Sequence, residues 1–270
     1  MDQKQQKFNT ENIIQVIDAW TNETIQEKLK EQENRLNKEL IPQLKKEMAV
    51  KELQEKALER IQSDHDVRNI AAKFVLSLKG GLFEDAYECF ALKTQGTRAE
   101  IEKYGVYEGA DKLKAYFVDY YGKIGGKEGC FIEHELTTPV VEIAEDNQTA
   151  KAMFISEGIL AIAPGNWMET HETARSLWQI GPWYMEFIKE NGAWKIWHLT
   201  IYDEIETTYE QSWSEFKDHE SIVNADAPEP SFAAEDKNYF TTERKPYLHR
   251  EPPRPYKTYG SGEMSEVRKC

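Results

Sequence analysis

The stretch from Ala174 to Ile205 constrains this chain more than any other. Two runs within it, Trp178 to Ile188 and Trp194 to Ile205, are rich in aromatic and β-branched residues that suit a pleated, half-buried surface. Between them, Glu190-Asn191-Gly192 supplies the positive-φ residues that a tight hairpin needs. Under strict alternation, Trp194, Ile196, His198, Thr200 and Tyr202 share one face of the second run. Lys195, Trp197, Leu199, Ile201 and Asp203 share the other. Large apolar groups stand on both faces. The hairpin is therefore expected at the centre of a curved sheet, sandwiched, with something packed inside the bend.

A chain of 270 residues with 40% hydrophobic content holds enough apolar material for one core with appendages, or for two small domains. A net charge of −14 argues against nucleic-acid or anionic-membrane partners, which call for a basic face. Cys89, Cys130 and Cys270 are scattered and show no CxxC spacing, so they suggest neither a disulfide framework nor a zinc site. No apolar run approaches the roughly 20 residues of a membrane-spanning helix. The opening MDQKQQKFNTEN lacks the apolar centre of a signal peptide. A cytoplasmic protein is the expectation.

About sixty residues of helical pattern open the chain, and residues 1–61 are read as a helical extension. Ile13, Ile14, Ile17 and Trp20 make one apolar stripe, and Ile25, Leu29, Leu36, Leu40 and Leu44 make another. Pro42 is expected to kink or restart the helix. Ser63-Asp64-His65-Asp66 resembles a helix start, with Ser63 as N-cap. Val67, Ile70, Ala71, Phe74, Val75 and Leu78 then line one helical face, ended by Gly80-Gly81. Phe83 to Ala91 reads as a helix, Thr97 to Glu108 as one strand, and Ala110 to Tyr121 as another helix. Cys130 to Ile143 and Ala150 to Ala163 read as strands that precede the hairpin.

The order of helices first and four strands last is that of an α+β fold. Three phrases go further: Tyr107-Glu108-Gly109 followed by Leu113 and Phe117, then Pro139-Val140-Val141-Glu142-Ile143, then Gly192-Ala193-Trp194-Lys195-Ile196. In this order and spacing the chain resembles the SnoaL-like branch of the nuclear transport factor 2 superfamily, over roughly residues 62–206. The resemblance implies a cone-shaped, bent antiparallel sheet wrapped around helices, with a deep apolar pocket. It also implies a choice among dehydratases, isomerases, cyclases and non-catalytic scaffolds, since fold does not settle function.

Site residues follow from the resemblance one by one. In SnoaL-like dehydratases a His near the start of a strand is the general base, and His134, five residues before Pro139, stands at a similar position. The Tyr and Asp of the family's first helix fall on Phe74 and Lys79, so neither hydroxyl nor carboxylate is kept there. Tyr184 and Glu186 match pocket positions of the family. The expected catalytic set is thus His134, Tyr184 and Glu157, with Phe74, Tyr104, Tyr116, Phe154, Glu186 and His198 binding substrate. No metal ligand set and no cofactor are expected. Alternation along the strand places Ile132, His134 and Leu136 on one side and Phe131, Glu133 and Glu135 on the other, so the histidine side reads as the interior. Against this, a histidine flanked by two glutamates is equally compatible with a rim position. Glu169 and His171 alone make a poor metal couple.

Thr207 to Lys217 reads as a short acidic helix. The segment beyond Asp226 is extended and rich in Pro and Tyr, of the kind that straps across a barrel or a neighbouring subunit. Residues 207–270 are taken as a tail. Two functions stay open. One is a cofactor-independent lyase or isomerase (dehydration or proton shift) acting on an apolar, oxygenated cyclic or aromatic small molecule. The other is a small-molecule-binding or scaffold protein of the same fold. Apolar groups on the outer hairpin face and on the N-terminal helices suggest a homodimer or higher homo-oligomer.

Overall fold

A computed structural model describes residues 3–164, 175–214, 227–234, 239–246 and 248–260. The chain divides into two compact units, Met1–Leu58 and Glu59–Cys270. The first is wholly helical over its described residues: α1 (Gln3–Arg35), a π turn (Leu36–Leu40) and the opening of α2 (Ile41–Lys79). The π turn lies just before Pro42, whose ring and missing N–H disrupt the normal i→i−4 ladder; Ile41 N–H bonds instead to Leu36 C=O, five residues back.

Helix α2 runs through Ser63, so the expected N-cap there is wrong. Ser63 is buried, and Asp64 reaches along the helix to Arg68 (2.8 and 3.1 Å) rather than capping a new one. Its apolar stripe, from Val67 to Leu78, is buried in the second unit against α3 (Phe83–Tyr87) and the sheet. The expected single strand over 97–108 is a hairpin instead: β1 (Arg98–Ile101) and β2 (Gly105–Glu108), antiparallel. Gly105 at φ 105° makes that reversal possible.

A helical segment follows, α4 (Ala110–Lys114), a π turn (Ala115–Tyr120) and α5 (Tyr121–Gly125). Four long strands complete the unit: β3 (Cys130–Ile143), β4 (Thr149–Ile162), β5 (Arg175–Glu190) and β6 (Ala193–Ile201), each antiparallel to the next. The β5–β6 turn uses positive φ at Asn191 (52°) and Gly192 (80°), as the sequence requires. The short hairpin joins through β1, which lies parallel to β6. The expected acidic helix after Ile205 begins instead as β7 (Ile205–Thr208), paired with β5; residues 215–217 of that expectation, and Glu169 and His171, lie outside the described residues.

The sheet's inner face closes over the helices. Ala150, Ala152 and Phe154 of β4 and Trp183, Met185 and Phe187 of β5 enter one core with Phe74, Phe90 and Phe117. Burying each of the large side chains contributes about 1.5–3 kcal/mol. A bulge in β6 changes the expected alternation. Phe187 pairs with Ile196, but Glu186 pairs with His198, leaving Trp197 as the extra residue. Trp194 and Ile196 therefore share the core with Leu199 and Ile201. Thr200 and Tyr202 turn outward.

Candidate active site

A cavity of about 50 Å³ lies between the sheet and the helical segment of residues 110–125. His134 of β3 lines it, together with Trp183 and Gln179 of β5, Lys103 and Tyr104 of the β1–β2 turn, and Asp203 just after β6. The π turn supplies the opposite wall. Tyr116 and Tyr120, four residues apart and so on one helical face, border the cavity, and Tyr121 at the start of α5 joins them. The lining is mixed rather than the apolar surface expected, because four phenols, a lysine, an aspartate and an imidazole share it with Ile132, Leu160 and Ile201.

His134 is held by packing and by one hydroxyl. Its Nδ1 lies 3.1 Å from Ser156 Oγ, and its ring tilts against Trp183 with centroids 5.0 Å apart. Burial lowers its pKa to about 4, so the ring is neutral at pH 7. With the proton on Nδ1 toward Ser156, Nε2 is the basic nitrogen. Room for the ring comes from Gly158, its cross-strand partner: a Cβ there would stand 2.6 Å from His134 Nδ1 and 2.4 Å from Gln179 O.

A charged cluster adjoins it. The buried Lys103 ammonium pairs with Glu206, whose Oε1 accepts a 2.9 Å bond from Gln179 Nε2. Glu102 Oε2 accepts the backbone N–H of Asp203 at 2.8 Å. Burial lowers the Lys103 pKa to about 8, against the opposing pull of Asp203 and Glu102. Burial likewise raises Asp203, with Lys103 opposing. Desolvation pushes the Tyr116, Tyr120 and Tyr121 phenols upward, so they remain donors, and Tyr120 OH reaches Tyr104 OH at 3.4 Å. The Trp183 indole N–H is buried with no hydrogen-bond partner among the described residues. Together these groups offer a neutral base and several fixed donors around one small space.

Of the residues named from sequence, His134, Tyr104 and Tyr116 come together here. Six do not. Phe74 and Phe154 are core residues; Phe74 packs edge-on against Phe90 and Phe117, at 5.5 and 5.4 Å. Tyr184 and Glu186 occupy the outer face, because Trp183, Met185 and Phe187 take the inner positions of β5. Glu157 is exposed on that same outer side of β4, between the inward Ser156 and Gly158. His198 is turned outward by the β6 bulge and pairs with Glu186. Lys103, Asp203, Gln179 and Trp183 were missed. Asp203 had a signal, its alternation with Leu199 and Ile201, but the bulge that points this set inward is not marked by a Gly or Pro.

The family described as SnoaL-like domain matches residues 59–200. The chain belongs to this family. Among solved structures, this SnoaL-like chain is similar to a hexachlorocyclohexane dehydrochlorinase (LinA) of type 2, at 13% identity over 60% of this chain and 97% of that one, with a TM-score of 0.47. A type 3 dehydrochlorinase from Novosphingobium barchaimii LL02 is 13% identical over 56% and 93%, with a TM-score of 0.45. An NTF2-like protein with a cystatin-like fold from Novosphingobium aromaticivorans is 13% identical over 58% and 88%, with a TM-score of 0.39. No curated protein matches the sequence. In this SnoaL-like chain the described helices include none long and apolar enough to cross a membrane.

Proposed function

We propose that this protein is a cofactor-independent lyase or isomerase in which His134 takes a proton from carbon next to an oxygen-bearing group. The observation that carries this reading is a neutral imidazole sharing one cavity with Lys103, Asp203 and a set of protonated phenols. A base must be unprotonated at working pH, and burial provides that. Charge that develops on the substrate oxygen would be met by donors already in place, the Trp183 N–H and the Tyr104–Tyr120 pair. Asp203, whose carboxyl is raised by burial with Lys103 opposing, is the group placed to return a proton or assist a leaving hydroxyl. The substrate class is a small oxygenated carbon acid, cyclic or aromatic if the tyrosine wall moves to admit a ring.

One observation bears equally on this reading and on binding without turnover, since either needs the tyrosine wall to move. A cavity of about 50 Å³ holds a few waters, whereas ligand pockets usually measure roughly 300–1,000 Å³. The two readings separate in a proton-exchange assay. The protein is incubated in D₂O with a panel of small cyclic ketones and hydroxyketones, and loss of the α C–H signal is followed by NMR. Exchange above buffer rate that falls ~10²–10⁴-fold in His134→Gln supports the base role. Binding without exchange, or exchange that His134→Gln leaves unchanged, supports the scaffold reading.

A further inference from the structure

Lys103 is the one lysine among the residues that line the cavity, and its side chain is 3% exposed. The backbone fixes it there. Glu102 N–H donates to Ile201 C=O at 3.2 Å, Tyr104 N–H to Ile101 C=O at 2.8 Å, and Asp203 N–H to the Glu102 carboxylate at 2.8 Å. The β1–β2 turn is thus stitched to the end of β6, which keeps the lysine at the cavity wall.

Stability does not account for this residue. A buried ion pair such as Lys103 with Glu206 usually stabilises no more than apolar groups of similar volume would. What the amine gains from burial is reactivity. Its pKa falls to about 8, so on the order of a tenth is uncharged at pH 7, against less than about a thousandth for an exposed lysine. A desolvated lysine is a nucleophile toward carbonyl carbon.

The neighbours suit that attack. Glu206 touches the ammonium and can take the proton that nitrogen must lose. Asp203 borders the same cavity, its carboxyl raised by burial with Lys103 opposing, and can protonate the carbonyl oxygen. The buried Trp183 N–H, without a partner among the described residues, is a donor for that oxygen.

We propose that Lys103 bonds the substrate: its amine condenses with the carbonyl carbon of a small ketone or aldehyde to form an iminium. The C–N bond forms as the carbonyl π pair moves to oxygen, which takes a proton and becomes a carbinolamine hydroxyl. The nitrogen lone pair then expels that hydroxyl, which takes a second proton and leaves as water. Both protons in the water come from the starting ammonium, so the positive charge passes to the iminium. His134 removes the neighbouring C–H proton, a C=C bond forms, and the C=N pair returns to nitrogen. Reprotonation at carbon and hydrolysis free the lysine. The carbon-acid stage rests on the base role of His134; the condensation does not.

The test uses the full chain at pH 7 with acetone, the smallest ketone, and sodium cyanoborohydride, which reduces an iminium to a stable amine. Peptide mass spectrometry should show Lys103 gaining the mass of acetone less one oxygen, roughly tenfold or more faster than exposed lysines. Lys103→Arg keeps a charge beside Glu206 but forms no iminium. It should lose the label, and its exchange of acetone C–H in D₂O should fall to near the buffer rate. Near-UV circular dichroism checks its fold. If arginine does not fit, Lys103→Met combined with Glu206→Gln removes both charges together and makes the same test. His134→Gln should keep the label and lose exchange. No label at Lys103, equal labelling of exposed lysines, or wild-type exchange in folded Lys103→Arg would each overturn the proposal and leave the His134 reading standing. A labelled Lys103 without exchange, or with exchange unchanged in His134→Gln, would instead remove the base role and leave the iminium.

Discussion

Two histidines stand on opposite faces of the same sheet, each with a polar group at its Nδ1, and their surroundings differ in kind. His198 on the outer face meets Glu186 at 2.5 Å; the same carboxylate takes the Tyr259 hydroxyl at 3.1 Å and lies 3.9 Å from Lys151. Burial pushes the Glu186 carboxyl up, but His198, Lys151 and Tyr259 outweigh it and hold the group below the usual range. Among the described residues, His134 on the inner face meets the Ser156 hydroxyl and makes no carboxylate hydrogen bond, and burial leaves it neutral. A histidine saturated by a carboxylate and covered by the chain's own tail is tied into structure. One that stays neutral beside an open space keeps a lone pair available for chemistry.

The largest effect expected from this contrast is in rate. His134→Gln should lower kcat ~10²–10⁴-fold once a turned-over substrate is in hand. His198→Gln should leave kcat within about twofold while lowering stability by about 1–3 kcal/mol, the usual loss for a charge-assisted hydrogen bond. Parallel kinetics and urea unfolding of the two variants check both halves. If the two exchange roles, the inner and outer faces have been assigned the wrong way round.

Next in size is Gly158→Ala. The added Cβ meets His134 Nδ1 and Gln179 O well inside van der Waals contact, so the imidazole must move from Ser156. The expected outcome is a fall in kcat of about tenfold or more with the fold kept, since small displacements of a catalytic group are costly. Unchanged kcat with an unmoved His134 NMR signal would show that the ring does not depend on this gap.

Smallest is Tyr184→Phe on the outer face. The hydroxyl donates to Arg250 C=O and accepts Arg250 N–H, both at 3.0 Å, and so fastens the tail to β5. Its removal should cost about 1–2 kcal/mol, seen as a lower unfolding midpoint, with kcat untouched. A catalytic loss as large as that of His134→Gln would return Tyr184 to the role its sequence position suggests.

Much of this contrast was legible in the sequence, and the part that was not has a local cause. Alternation along β3 placed His134 with Ile132 and Leu136, and the structure sets Ile132 and His134 beside the same cavity. The same reasoning failed on β6, where one extra residue at Trp197 reverses the faces and exchanges His198 for Asp203. Tyr184 and Glu186, placed in the pocket by the family resemblance, stand on the outer face because Trp183, Met185 and Phe187 take the inner positions of β5. Their outer face is covered by the proline-rich tail, through Tyr256 on Thr149 at 3.1 Å and Arg250 on Tyr184. Lys103 was hidden by a strand expected to run straight through it, where the chain turns back between β1 and β2.

The central claim is that His134 is a half-buried, neutral base, and its own titration tests that most directly. In the folded state its pKa lies below the unfolded value, so the unfolded chain binds more protons between about pH 6.5 and about pH 4. The stability that His134 contributes is therefore present above pH 6.5 and lost as acid takes the pH toward 4. ¹H–¹⁵N spectra of the imidazole followed across pH 3.5–8, with His134→Gln to assign the signal, should give a midpoint near 4. A midpoint at or above the ordinary value near 6.5 would place the ring in water or beside a carboxylate, and would contradict the account.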